Sequence, residues 1–156
     1  MHTYKVNLKC KENRNGFLIS SVFPQNSEKE TPPDLPKTMK DIWSPEHLLL
    51  TSLNSCLMTT FLSKAENANI QFVSFESASS CAIEVIKGKN IITEITLRPK
   101  VVIPYFQNPE QVKYILEMSK NSCLISNIIK TNIRLEPEVS IELTLISNEE
   151  KNDFKL

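Results

Sequence analysis

The sequence is poor in several of the things that would define it quickly. Of its 156 residues only two are glycine and two histidine. A zinc site by ligand spacing is not expected, because the four cysteines form no CxxC pair and histidines are so few. No apolar run reaches the length needed to cross a bilayer. The N-terminal stretch MHTYKVNLKCKENRNG is polar and alternating, so it lacks the apolar core of a secretory signal. Neither sign of charge dominates. Eighteen basic residues balance eighteen acidic ones, which gives no bulk attraction to nucleic acid or an anionic membrane. No repeat or low-complexity block appears.

What remains is ordinary for a soluble globular chain: 40% hydrophobic and 23% charged residues, in a length that suits one domain over 1–156. We expect a cytoplasmic protein whose cysteines, Cys10, Cys56, Cys81 and Cys123, are reduced by default.

The two glycines mark turns. Gly16 follows Asn15 between the alternating stretches Tyr4–Leu8 and Phe17–Val22, and Gly88 lies in KGKN between CAIEVI and IITEITL. Both read as hairpins. Residues 24–44 carry Pro24, Pro32, Pro33 and Pro36 and read as a long connection.

A long helix is predicted from about Pro45 to Ala68. Ser44 can cap it, Pro45 suits its first position, and Glu46 suits the positive end of its dipole. Its apolar residues (Leu49, Leu53, Cys56, Leu57, Met58, Phe61 and Leu62) spread widely enough to predict burial on most sides. A second helix starts at Asn108-Pro109, and a short one covers roughly Cys123 to Lys130. From Ile133 to Leu145 apolar residues hold the odd positions and polar ones the even, as in a half-buried strand. Pro137 there, and Pro99 in the earlier strand, suggest an edge or a bulge. The segregation of strands and helices gives an α+β class.

Two cysteines are placed for chemistry. Cys123 follows Asn121-Ser122, a plausible cap, where a helix start favours thiolate. Cys56 lies two to three turns inside its helix, so a reactive thiolate there calls for a cation from elsewhere. The bland alternative for a cysteine in such a run is a small core hydrophobe. Cys10 and Cys81 read as structural, His47 as an exposed polar residue, Glu46 as a dipole partner and Arg14 as a solvated turn residue.

The stretch WSPEHLL followed by SCLMTTF, with Cys123-Leu124-Ile125-Ser126 much later, resembles the signature of the OsmC/Ohr family, the osmotically inducible and organic-hydroperoxide-resistance proteins. The order of elements is similar as well. The resemblance implies an α+β intertwined homodimer, two long helices wrapped by antiparallel sheet, with Cys56 largely buried. It implies a thiol peroxidase for a small hydrophobic organic hydroperoxide. Cys56 would be the attacking thiol and Cys123 the resolving one, forming a Cys56–Cys123 disulfide that a dithiol, such as a lipoylated protein, reduces. No cofactor or metal is implied. Glu46 matches the family's Pro-Glu position, and Arg14 resembles the arginine that polarises the thiolate in one branch. Another branch takes it from the loop before the helix, where this chain has Lys37 and Lys40. Leu124 stands where the family usually has proline. A non-catalytic dimer on the same fold, holding an apolar ligand or serving a structural role, is the competing reading.

Glu46 and Cys56 are ten residues apart, roughly 15 Å of rise in an unbroken helix. Either the helix starts late or breaks, or Glu46 reaches the Cys56 of a second chain across a two-fold.

Overall fold

The structure, a computed structural model, describes residues 2–11 and 44–142. In chain order these form β1 (His2–Lys11), α1 (Pro45–Asn67), β2 (Ser74–Ile86), β3 (Lys89–Ile103), α2 (Pro109–Ser122), α3 (Leu124–Ile128), β4 (Asn132–Leu135) and β5 (Glu138–Ile141). One sheet runs β1-β2-β3-β4, with β5 also on β3, and the helices pack on it. The α+β class is as expected. The Phe17–Val22 stretch and the Asn15-Gly16 turn lie outside the described residues, as do Arg14, Lys37 and Lys40.

The start of α1 is fixed by its own sequence. Ser44 is in an extended conformation and its side chain accepts from the His47 backbone N–H, with Pro45 opening the helix. The His47 ring contacts Ser44 in return, its Nδ1 lying 2.9 Å from the hydroxyl and accepting from the Ser44 backbone N–H. His47 is therefore part-buried and engaged in the cap, not simply exposed. Burial lowers its pKa, and the charge of Glu46 opposes that shift.

The buried residues of α1 are Leu50, Leu53, Asn54, Leu57, Met58, Phe61 and Ala65. These recur at three and four residues and define one face. In the chain itself α1 is thus buried on one side, not on most sides. Leu48, Ser52, Thr59 and Ser63 are exposed.

The β2–β3 hairpin turns at Lys87-Gly88, both with positive φ (52° and 76°), as the Gly88 position predicts. Along β2 the buried face reads Phe75, Ser77, Ser79, Cys81, Ile83. Two serines on a dry face would be unfavourable alone. Asn54 of α1 satisfies them: Ser77 donates to its Oδ1 at 2.8 Å, and its Nδ2 donates to Ser79 Oγ at 2.8 Å.

The sheet is mixed rather than wholly antiparallel. β1, β2 and β3 are antiparallel neighbours, whereas β4 and β5 run parallel to β3. The cause is the connection: the chain leaves β3, passes through α2 and α3, and returns in the direction it left. The strand expected from Ile133 is divided at Pro137 into β4 and β5, and its alternation of half-buried odd and exposed even positions holds from Ile133 to Ser140. Pro99 is not in an edge strand. β3 pairs with β4 at residues 94–97 and with β5 at 100–103, so Pro99 lies opposite the gap that Pro137 makes. The bulge falls instead at Ala82/Ile83. Cross-strand ion pairs line the exposed face: Arg98–Glu136 at 2.8 Å, Lys100–Glu138 at 3.0 Å and Arg134–Glu94 at 2.7 Å.

The core has two parts, both formed by the buried face of α1 against the sheet. Met58, Phe61 and Ala65 pack with Leu8, Phe75, Val101, Ile103 and the α2 residues Val112 and Leu116. Nearer the start of α1, Leu50, Leu53 and Leu57 pack with Val6, Cys81, Ile83, Ile95, Leu97 and Cys123. Cys56 joins the second part from its rim, with Ile125 and Ile129 beside it.

Candidate active site

α3 is a five-residue helix with no buried residue of its own. Its first cap is Cys123, whose sulfur accepts from the Ser126 N–H at 3.5 Å. The expected cap from Asn121-Ser122 is therefore replaced by the cysteine itself. The Cys123 carbonyl accepts from the Asn127 N–H at 3.1 Å, closing the turn. Fully buried Cys123 and half-buried Ile125 and Ile129 anchor this segment, while Leu124 and Ile128 are 71% and 68% exposed.

This packing sets Cys56 and Cys123 in the same part of the core, close enough for each thiol to affect the ionisation of the other. Burial by itself would raise the Cys56 pKa. Against it act the Cys123 thiol and the backbone N–H groups of Ile125 and Leu124, and the balance falls below the ordinary thiol value; the Thr60 hydroxyl beside them donates its one proton to the Cys56 carbonyl at 2.8 Å. For Cys123 burial raises the pKa, and the hydrogen bond with Cys56 raises it further. Contacts with the Ser126 side chain and backbone work the other way. The two shifts run in opposite directions, down for Cys56 and up for Cys123.

One expectation changes. A helix start does lower a cysteine, but the cysteine is Cys56, reached by the N–H groups of α3 from across the site. Cys123, placed at that start by sequence, is shifted upward. In the single chain Cys56 is part-exposed, on the shoulder of the buried face of α1; the burial expected of it belongs to the homodimer. Cys81 is buried in β2, among the second group of core residues.

Glu46 is in the first turn of α1, and α1 runs unbroken from Pro45 to Asn67. The helix does not break to bring the two together, so within one chain Glu46 and Cys56 stand about three turns apart. Among the described residues no three histidine, cysteine or carboxylate side chains gather as a metal site, and no helix is long and apolar enough to cross a membrane. Thr60 and Ser126 are the site residues that sequence reasoning passed over. Thr60 is four residues after Cys56, on the same helix face, and Ser126 stood inside the quoted Cys123-Leu124-Ile125-Ser126 stretch.

A helix carrying one thiol, crossed by a short turn carrying another and laid on a twisted sheet, defines a two-thiol α+β protein. Residues 38–138 match the family described as OsmC-like protein, more than half of the sequence, and the chain belongs to that family. It is 26% identical over 103 residues to the uncharacterized protein YmaD of Bacillus subtilis, covering 64% of this chain and 69% of YmaD. An OsmC-like protein of unknown function from Vibrio cholerae superposes with a TM-score of 0.55 at 28% identity. That match covers 60% of this chain and 62% of the Vibrio chain, so the chain spans less than two thirds of that relative. An organic hydroperoxide resistance protein from Elizabethkingia anophelis shares the fold over 89% of this chain and 97% of its own, with a TM-score of 0.55 at 18% identity.

Proposed function

We propose that the chain is a thiol-dependent peroxidase that reduces organic hydroperoxides. The observation that carries this reading is the packing of Cys56, the more exposed sulfur, with Cys123 at the start of α3, where the second thiol and the Leu124 and Ile125 N–H groups favour its thiolate.

The thiolate of Cys56 attacks the terminal oxygen of the hydroperoxide. An S–O bond forms, the O–O bond breaks, and the alkoxide leaves to take a proton as the alcohol. Cys56 becomes a sulfenic acid. The Cys123 sulfur then displaces hydroxide from it, giving the Cys56–Cys123 disulfide and, with the thiol proton, water. A small-molecule or lipoyl dithiol returns both cysteines to thiols and is itself oxidised to a disulfide. The exposed Leu124 and Ile128 beside the site suit an apolar substrate. A reducing compartment, the cytoplasm, suits thiols that must reset.

Glu46 takes part across a homodimer, reaching Cys56 of the second chain, since α1 is continuous between them. Arg14 is the cation that Glu46 holds against the thiolate, with Lys37 or Lys40 the alternative.

Mass spectrometry after one equivalent of cumene hydroperoxide tests the reading. The expected product is an intramolecular Cys56–Cys123 bridge. Cys123→Ser should stop at a trappable Cys56 sulfenic acid, and Cys56→Ser should lose turnover on the order of a thousandfold. Unmodified thiols in the wild type would favour a non-catalytic apolar-ligand-binding dimer.

A further inference from the structure

Among the described residues, one buried side-chain nitrogen or oxygen lacks a hydrogen bond of ordinary geometry: Oγ of Ser126. A buried hydroxyl without a partner is unfavourable and asks for an explanation. Its surroundings supply one. The backbone N–H of the same residue already donates to the Cys123 sulfur at 3.5 Å, and the Ser126 hydroxyl lies beside that sulfur as well. Burial favours the neutral form of Cys123, and a neutral thiol is a weak acceptor. The hydroxyl therefore faces a sulfur that has little to offer it.

That changes in the second half of the cycle. Once Cys56 carries an S–OH group its negative charge is gone, and the hydrogen bond that kept the proton on Cys123 is lost with it. Cys123 must now act as the nucleophile, and the nucleophilic form is the thiolate. At that moment its sulfur becomes a full anion facing two donors from one residue, the N–H and O–H of Ser126.

We propose that the Ser126 hydroxyl is a catalytic group for the resolving step, donating a hydrogen bond to the Cys123 thiolate as it attacks the Cys56 sulfenic acid. The step balances without an added reagent. The Cys123 sulfur bonds to the Cys56 sulfur, the Cys56 S–O bond breaks, and the departing hydroxide leaves as water with the proton that Cys123 gave up. The proposal rests on the peroxidase reading for its role in turnover, but its physical basis, a buried hydroxyl beside Cys123 with no other partner, can be measured separately.

Two measurements test it on the full chain. In rapid mixing with cumene hydroperoxide, Ser126→Ala should form the Cys56 sulfenic acid within about twofold of the wild-type rate. It should then close the disulfide more slowly, by on the order of tenfold, the worth of one hydrogen bond to a charged acceptor. The pH profile of closure should move upward, and Ser126→Thr, which keeps the hydroxyl, should restore it. Independently of peroxide, the 13Cβ signal of Cys123 in a Cys56→Ser background should titrate at higher pH when Ser126 is alanine. An unmoved Cys123 titration overturns the assignment whatever the peroxide result. If the wild type forms no disulfide but the titration moves, the peroxidase reading fails and the Ser126 contact stands. Alanine at a helical position favours folding of the variant.

Discussion

The two halves of α1 rest on the same sheet yet do different work. Around Met58, Phe61 and Ala65 the covering element is α2, a 14-residue helix that buries Val112 and Leu116 completely. Phe61 stacks on Phe75 with ring centroids 5.3 Å apart and meets Phe72 edge-on at 5.6 Å. Around Leu50, Leu53 and Leu57 the cover is α3, five residues long with none buried. The first half is sealed by large apolar side chains. In the second, sulfur occupies the place of a larger hydrophobe, and the lid is held by one cysteine and two half-buried isoleucines. A dry, well-filled region resists change. A region closed by a short turn leaves its backbone N–H groups near a sulfur and keeps a route to solvent.

Truncation gives the largest contrast between them. Phe61→Ala removes a fully buried ring from the sealed half and should cost about 3–5 kcal/mol of stability. Leu124→Ala removes an exposed side chain from the lid and should stay within about 0.5 kcal/mol. Denaturant unfolding of the two variants measures the difference. Equal losses would mean that the lid is as much a part of the core as the phenylalanine cluster.

Asn54 stands where the two halves meet, and its effect should be next in size. Replacing it with alanine leaves the Ser77 hydroxyl without its acceptor and takes from Ser79 a donor, both on the buried face of β2. The expected cost is about 1–3 kcal/mol. Restoring a matched interior with Ser77→Ala and Ser79→Ala in the same chain should recover part of it. A double-mutant cycle checks the coupling.

How much of this could be read from the residues follows the same division. The caps at Ser44 and Asn108, the Gly88 turn and the alternation from Ile133 are local signals, and each element appears where its signal lies. The parallel return of β4 and β5 is not local. It depends on where α2 and α3 carry the chain. Ser77 and Ser79 masked the buried face of β2, because a serine looks polar until the partner that satisfies it, Asn54, comes from elsewhere in the fold. At the site, the approach of Cys56 and Cys123 was anticipated from the resemblance rather than from any pattern. The exchange of their pKa directions was not anticipated. Burial, and donation from one thiol to the other, are properties of the packed pair and have no sequence period. Arg14, Lys37 and Lys40 lie outside the described residues, so the charge partner of Cys56 rests on the resemblance and the helix geometry.

The finest contrast is electrostatic and separates reactivity from stability. Cys56 is shifted down, so its native form is favoured as thiolate. Its stabilising contribution is present above the unfolded thiol pKa and is lost as pH falls through the folded value. Cys123 is shifted up, so its contribution is present below the unfolded pKa and is lost as pH rises through the folded value. Both contributions are fully present near the unfolded thiol pKa, so unfolding stability should pass through a maximum there and fall toward each of the two folded values. Reactivity follows one thiol alone, because only Cys56 is both shifted toward thiolate and partly exposed. Its alkylation rate should rise with pH and level off below the range of an ordinary cysteine. Cys123→Ala removes the donor thiol and the α3 cap together, and should move that plateau to higher pH. Cys123→Ser keeps a hydroxyl donor and a cap and should fall between. Alkylation of Cys56 followed by mass spectrometry across pH measures all three. A plateau that stays in place in Cys123→Ala would assign the lowered pKa to the α3 N–H groups, or to a cation beyond them, and not to the second thiol.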